Sequence, residues 1–92
     1  MRVREKFGNT PDPALVGLMA LGWALQDERR AHRLLDLTGL SPDMLRSQTS
    51  DPVMLSAILA FLESHEADLI ACADALALDP ATLVNAHREL QS

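Results

Sequence analysis

Three histidines, one cysteine and a cluster of arginines are the side chains of this sequence best suited to bind or react. Glu28 and His32 stand four apart, a spacing that on a helix would let both reach one metal ion. His65, Glu66 and Cys72 are further donors. None of these spacings matches a metal motif, because there is no second cysteine and no paired histidine, so neither a metal nor a cofactor is expected. Cys72 stands among Leu69, Ala71 and Ala73. With no basic residue near it in sequence to lower its pKa, it reads as a small core hydrophobe. Nucleophilic catalysis needs a base beside the nucleophile and donors for an oxyanion, and neither can be placed. No Gly-rich loop is available to cradle a phosphate. Glu63, Glu66 and Asp68 read as a solvated helix edge rather than an acid–base pair. No catalytic residue is assigned, and the chain is read as a non-enzyme.

Arg29, Arg30 and Arg33 form the one basic cluster inside the folded part. Arg29 and Arg33 would share a helix face, with Arg2, Arg4 and Lys6 able to add to it. The cluster is either a docking site for an acidic partner, a nucleic acid backbone or an anionic ligand, or a solvated face paired internally with Glu28, Asp36 or the acidic second half. A helix-turn-helix spacing occurs twice, as Leu35-x3-Gly39-Leu40-Ser41-x3-Leu45 and Ala73-x3-Ala77-Leu78-Asp79-x3-Leu83. DNA readers use such a corner to set a recognition helix in the major groove. In the second copy that helix would offer Asn85, His87 and Arg88, beside Glu89. Duplex affinity comes largely from Lys and Arg on phosphates, and neither copy carries a basic stripe. Nucleic acid is therefore not the expected partner, and the spacing is taken first as a tight corner of a helical protein.

The elements that would hold these residues are announced by proline. Four of the five prolines follow an Asp or Ser, in the pairs Asp12-Pro13, Ser41-Pro42, Asp51-Pro52 and Asp79-Pro80. An Asp or Ser oxygen accepts from the orphan N–H groups of a first helical turn, and proline suits the next position because its missing N–H has no intrahelical partner to lose. Asp27 supplies a fifth start without proline. The predicted helices run from Pro13 to Gln26 with Val16, Met19, Ala20 and Trp23 inward, then from Asp27 with Ala31, Leu34 and Leu35 inward, ending at a left-handed Gly39. A short helix after Pro42 offers Met44 and Leu45. The next, from Pro52, offers Leu55, Ile58, Leu59 and Leu62. A break near Ser64-His65 leads to a helix with Leu69, Ile70, Ala73 and Leu76 inward, and Pro80 starts a last one with Leu83, Val84 and either His87 or Leu90. Gly17 and Gly22 each cost a helix about 1 kcal/mol relative to Ala, and close approach of a neighbouring helix is the expected reason. Residues 1–10 read as a flexible arm, and residues 11–92 as one helical domain.

Asp12-Pro13 can be laid on Asp51-Pro52, and after a one-residue gap Gly39 falls on Ala77 and Pro42 on Pro80. This describes two related three-helix halves, although two capped amphipathic hairpins would partly align by chance, and both readings stay open. The fold class is all-α, a compact orthogonal bundle of five or six short helices.

Ninety-two residues give one small domain, whose core must come from Leu, Ala, Met, Ile and Val because only Phe7, Trp23 and Phe61 are aromatic. A lone cysteine excludes an internal disulfide framework and fits a reducing compartment. No stretch approaches the ~20 apolar residues of a membrane span, and the N-terminus lacks the apolar region of a signal peptide. A cytoplasmic protein without membrane contact is expected. The net charge is −5. Residues 1–50 hold seven basic and six acidic side chains, whereas residues 51–92 hold seven acidic ones and Arg88 alone.

The succession Ala20-Leu21-Gly22-Trp23-Ala24-Leu25, Asp27-Glu28-Arg29-Arg30, Leu34-Leu35-Asp36-Leu37-Thr38-Gly39-Leu40-Ser41-Pro42, Asp51-Pro52-Val53 and Phe61-Leu62 resembles a family of short bacterial proteins catalogued as domain of unknown function 3572. The resemblance covers about residues 12–90. It implies a compact helical fold and a bacterial source, and it carries over no activity, ligand or catalytic residue. The reading placed first is a non-enzymatic protein-interaction module that recognises an unknown protein through a helix face. Its patch would be Arg29, Arg30 and Arg33, at the edge of a groove between the first, second and fourth helices. A DNA binder using the corner at residues 73–90 and an enzyme of unrecognised type are the alternatives. The small size, the exposed Leu and Met candidates and the unequal charge of the halves also leave room for a homodimer.

Overall fold

A computed structural model describes residues 12–91. They form six helices, and among the described residues no strand: α1 Pro13–Ala24, α2 Glu28–Thr38, α3 Pro42–Ser47, α4 Pro52–Glu63, α5 Glu66–Ala75 and α6 Pro80–Gln91. The all-α bundle expected from the sequence is the fold observed. The arm expected over residues 1–10 lies outside the described residues.

The start signals act as capping chemistry requires. Asp12 Oδ1 accepts from the Ala14 N–H at 3.0 Å, Ser41 Oγ from the Met44 N–H at 3.2 Å and Asp51 Oδ1 from the Val53 N–H at 2.9 Å. Asp27 Oδ1 takes two, from Arg29 at 2.9 Å and Arg30 at 3.4 Å. Those backbone N–H groups hold the Asp27 carboxyl below its ordinary pKa. The α6 start shows the backbone part of the pattern, with the Asp79 carbonyl accepting from the Thr82 N–H at 2.9 Å. At the start of α5 the cap position is held by His65, which makes no side-chain cap bond, and Glu66 and Asp68 bring negative charge to the first turn, where the helix dipole favours it.

Two helices end in the left-handed region. Gly39 has φ 75° and its N–H donates to the Leu35 carbonyl at 3.0 Å. Ala77 does the same work with a Cβ, at φ 58°. Around it the Leu78 N–H reaches the Ala73 carbonyl at 2.8 Å and the Ala77 N–H the Asp74 carbonyl at 3.1 Å, the paired closure that satisfies a helix's last carbonyls.

The core centres on α4, whose Leu55, Ile58, Leu59 and Leu62 are all fully buried. Helices α1, α2, α5 and α6 pack around it. Val16, Leu34, Cys72 and Leu83 are the other large side chains that are fully buried. Each such Leu contributes about 1.5–3 kcal/mol of apolar burial. Gly17 lies against α4, where an added Cβ would stand 3.0 Å from the Leu55 Cβ, so the expected close approach is present there. Gly22 has nothing within 4 Å of such a Cβ and is exposed, and the same explanation fails for it.

Two inward assignments need correction. Met44 and Ile70 are exposed. Helix α3 is six residues long and turns Leu45 inward, which carries its neighbour Met44 about 100° away. Helix α5 meets the core through Cys72 and Ala73, with Leu69 and Leu76 at the flanks, and this places Ile70 on the far side. In α6 the buried pair is Leu83 and Ala86, and Val84, His87 and Leu90 are half-buried. No helix among the described residues is long and apolar enough to cross a membrane.

Candidate functional site

The three arginines of α2 do different work. Arg30 folds back on α1. Its Nη2 donates to the Trp23 carbonyl at 2.6 Å, its guanidinium carbon lies 3.6 Å from the Trp23 ring centroid, and Nη1 is 3.6 Å from Asp27 Oδ2. One side chain thereby neutralises a carbonyl at the C-terminal end of α1, stacks on its indole and pairs with the cap of α2. Arg33 turns the other way and pairs through Nη2 with Asp68 Oδ2 of α5, with its guanidinium carbon 5.8 Å from the Phe61 ring centroid. Arg29 is exposed. The Nε atoms of Arg30 and Arg33 are buried without a hydrogen-bond partner, so both guanidiniums are held by their outer nitrogens. The three cations are therefore not one continuous surface. Arg29 and Arg33 line a shallow depression with Glu28, His32 and Asp36, on α2 itself rather than between α1, α2 and α4. The groove between α2 and α4 is a different place, lined by Leu37, Thr38, Ala57, Ala60, Phe61 and Ser64.

The residues considered for DNA are dispersed likewise. His87 Nδ1 lies 2.6 Å from Glu63 Oε2 on α4, and only 16% of its side chain is exposed. Asn85 and Arg88 are exposed on the outer side of α6, next to Glu89. Helix α6 is itself packed on α1, α4 and α5.

Cys72 is fully buried, and burial pushes its thiol up to about 11. A thiol protonated at neutral pH is a weak nucleophile and a poor metal ligand. Among the described residues no three His, Cys, Asp or Glu side chains stand close enough to hold a metal ion.

What the tertiary structure exposes instead is the outer face of α1. Leu15 is 50% exposed, Leu18 40% and Leu25 44%, and Gly22 is exposed between them. At about 100° per residue Leu15, Leu18 and Gly22 fall within one narrow stripe, and Leu25, the capping residue just past α1 in near-helical conformation, continues it. The inner side of the same helix buries Val16, Gly17, Ala20, Leu21, Trp23 and Ala24. A helix that is apolar all round is ordinarily covered on all sides, and the described residues cover this one on one side. Sequence reasoning assigned the inner face and passed over the outer one. The signal that could have found it is the lack of any charged residue across the fourteen residues from Pro13 to Gln26.

The family described as Protein of unknown function (DUF3572) matches over residues 11–92, nearly the whole chain. No curated protein and no solved structure matches it.

Proposed function

The chain belongs to that family, whose description carries no activity, and we propose from the geometry that it is a non-enzymatic interaction module that offers the outer face of α1 to another protein surface. The observation that carries the reading is the charge-free, partly exposed stripe of Leu15, Leu18, Gly22 and Leu25 on a surface helix. Contiguous exposed apolar residues on a small domain mark a contact site. The arginines support the same choice of face, since Arg30 and Arg33 are engaged within the fold and hold α2 against α1 and α5. The buried, protonated Cys72 supports a role without covalent chemistry. A single cysteine with no bridge to form also suits a reducing cytoplasm.

The test is a photo-crosslinking residue placed at position 18 of the full chain in living cells, with position 74, exposed on α5, as control. Discrete protein adducts from position 18 and none from position 74 are expected. Equal labelling from both, or none from either, would remove the assignment of this face.

A further inference from the structure

The stripe on α1 has a property that selects its occupant. Leu15, Leu18, Gly22 and Leu25 are spaced three, four and three apart, and that spacing is unchanged when read backwards. If two copies of α1 lie antiparallel about a two-fold axis beside Ala20, Leu18 of each comes opposite Gly22 of the other, and Leu15 opposite Leu25. A large side chain then meets a gap twice, and the remaining leucines meet each other. Self-complementarity of this kind is what a two-fold interface demands.

Gly22 supplies an independent observation. It lies near the C-terminal end of an α-helix, where glycine weakens the helix, and none of the described residues requires it, because a Cβ there would meet no atom of theirs within 4 Å. Gly17, by contrast, is required by Leu55. A helix pressing on Gly22 from outside the fold accounts for the difference. Charge limits such a contact to the middle of the helix. Two chains of net charge −5 repel, the stretch 13–26 is uncharged, and Asp12 of each copy comes level with Glu28 of the other at the two ends.

We infer that α1 is the interface of an antiparallel homodimer in which Leu18 of each copy packs over Gly22 of the other. This rests on the proposed use of the α1 face and names its partner. The stripe spans three turns, short of the ~800 Å² per partner of a standard interface, so dissociation in the micromolar range is expected.

Sedimentation velocity of the full chain across a hundredfold concentration range about the micromolar is expected to show a species of 10.0 kDa giving way to one of twice that mass. Gly22→Leu fills the gap and should weaken the dimer by at least about tenfold, while raising the melting temperature of the dilute monomer, since the helix gains propensity and nothing clashes. Leu18→Glu should abolish the dimer through like-charge repulsion across the axis. A dimer indifferent to both changes overturns the inference. So does a monomer at every concentration, which leaves the face to residues 1–11 of the same chain or to another protein. In that last case position 18 still crosslinks to a different protein, and the interaction reading survives the loss of the homodimer.

Discussion

Residues 12–26 and 51–65 run in step. Each segment opens on an Asp that caps a proline-led helix of twelve residues. Each helix ends on a residue of nearly the same conformation, Leu25 at φ −81°, ψ −8° and Ser64 at φ −78°, ψ −8°. The helices that follow, α2 and α5, both run into a left-handed residue, Gly39 and Ala77. After that the halves part. Helix α3 stops after six residues and delivers Leu45 to the core, whereas α6 runs for twelve, buries Leu83 and Ala86, and packs on three other helices. Cap and corner chemistry is local and sets where a helix begins. How far it continues depends on whether apolar residues keep returning to one face. Leu83, Ala86 and Leu90 do so in α6, whereas Leu45 is followed by Arg46, Ser47, Gln48, Thr49 and Ser50.

The widest gap between the halves is expected at the leucines that close the two corners. Leu83→Ala should cost about 4 kcal/mol and Leu45→Ala about 2 kcal/mol, both inside the range for buried leucines, with the larger cost where the site is enclosed on all sides. Denaturant unfolding with an unchanged m-value measures both, and equal costs would erase the contrast between a core helix and a peripheral one.

The corners themselves invite an exchange. Ala77→Gly removes a Cβ from the left-handed region and should stabilise by about 0.5–1 kcal/mol after the extra chain entropy is counted. Gly39→Ala adds one where no neighbouring atom lies within 4 Å, so its cost of about 1 kcal/mol comes from the backbone alone. Thermal melts of the two single variants and the double one should show near-additive, opposite shifts. A stabilising Gly39→Ala would break the equivalence of the two turns.

The last effect should vanish at neutral pH. The Cys72 thiol titrates at about 11 in the folded chain, above its unfolded value, because burial disfavours the thiolate. The folded state therefore keeps a proton that the unfolded state releases. This contribution is fully present below pH ~9 and is lost as the pH rises through the folded value. Cys72→Ala should flatten the alkaline decline of stability. An undiminished decline in that variant would show that the α5 side of the molecule is not where alkaline pH acts.

Much of the fold is legible in the sequence because its signals are short-range. Asp12, Ser41 and Asp51 bond N–H groups two or three residues away, and Gly39 closes a turn on Leu35. The inward leucines of α4 follow from their spacing. The candidate site was less legible. Helix α1 is apolar around its circumference, so periodicity alone does not say which side the rest of the chain covers. Gly17 and Gly22 look alike in sequence, and only the position of Leu55 tells a required glycine from an unexplained one.

The amino-acid order by itself determined the helix starts, the left-handed stops and the greasy positions of the central helix, since each depends on neighbours within a turn or two. Only the tertiary structure decided that Arg33 belongs to Asp68, thirty-five residues away, that His87 belongs to Glu63, twenty-four away, and that the described residues cover only one side of α1. Those outcomes depend on how whole helices pack in space, and no local preference encodes the distance between residues so far apart along the chain.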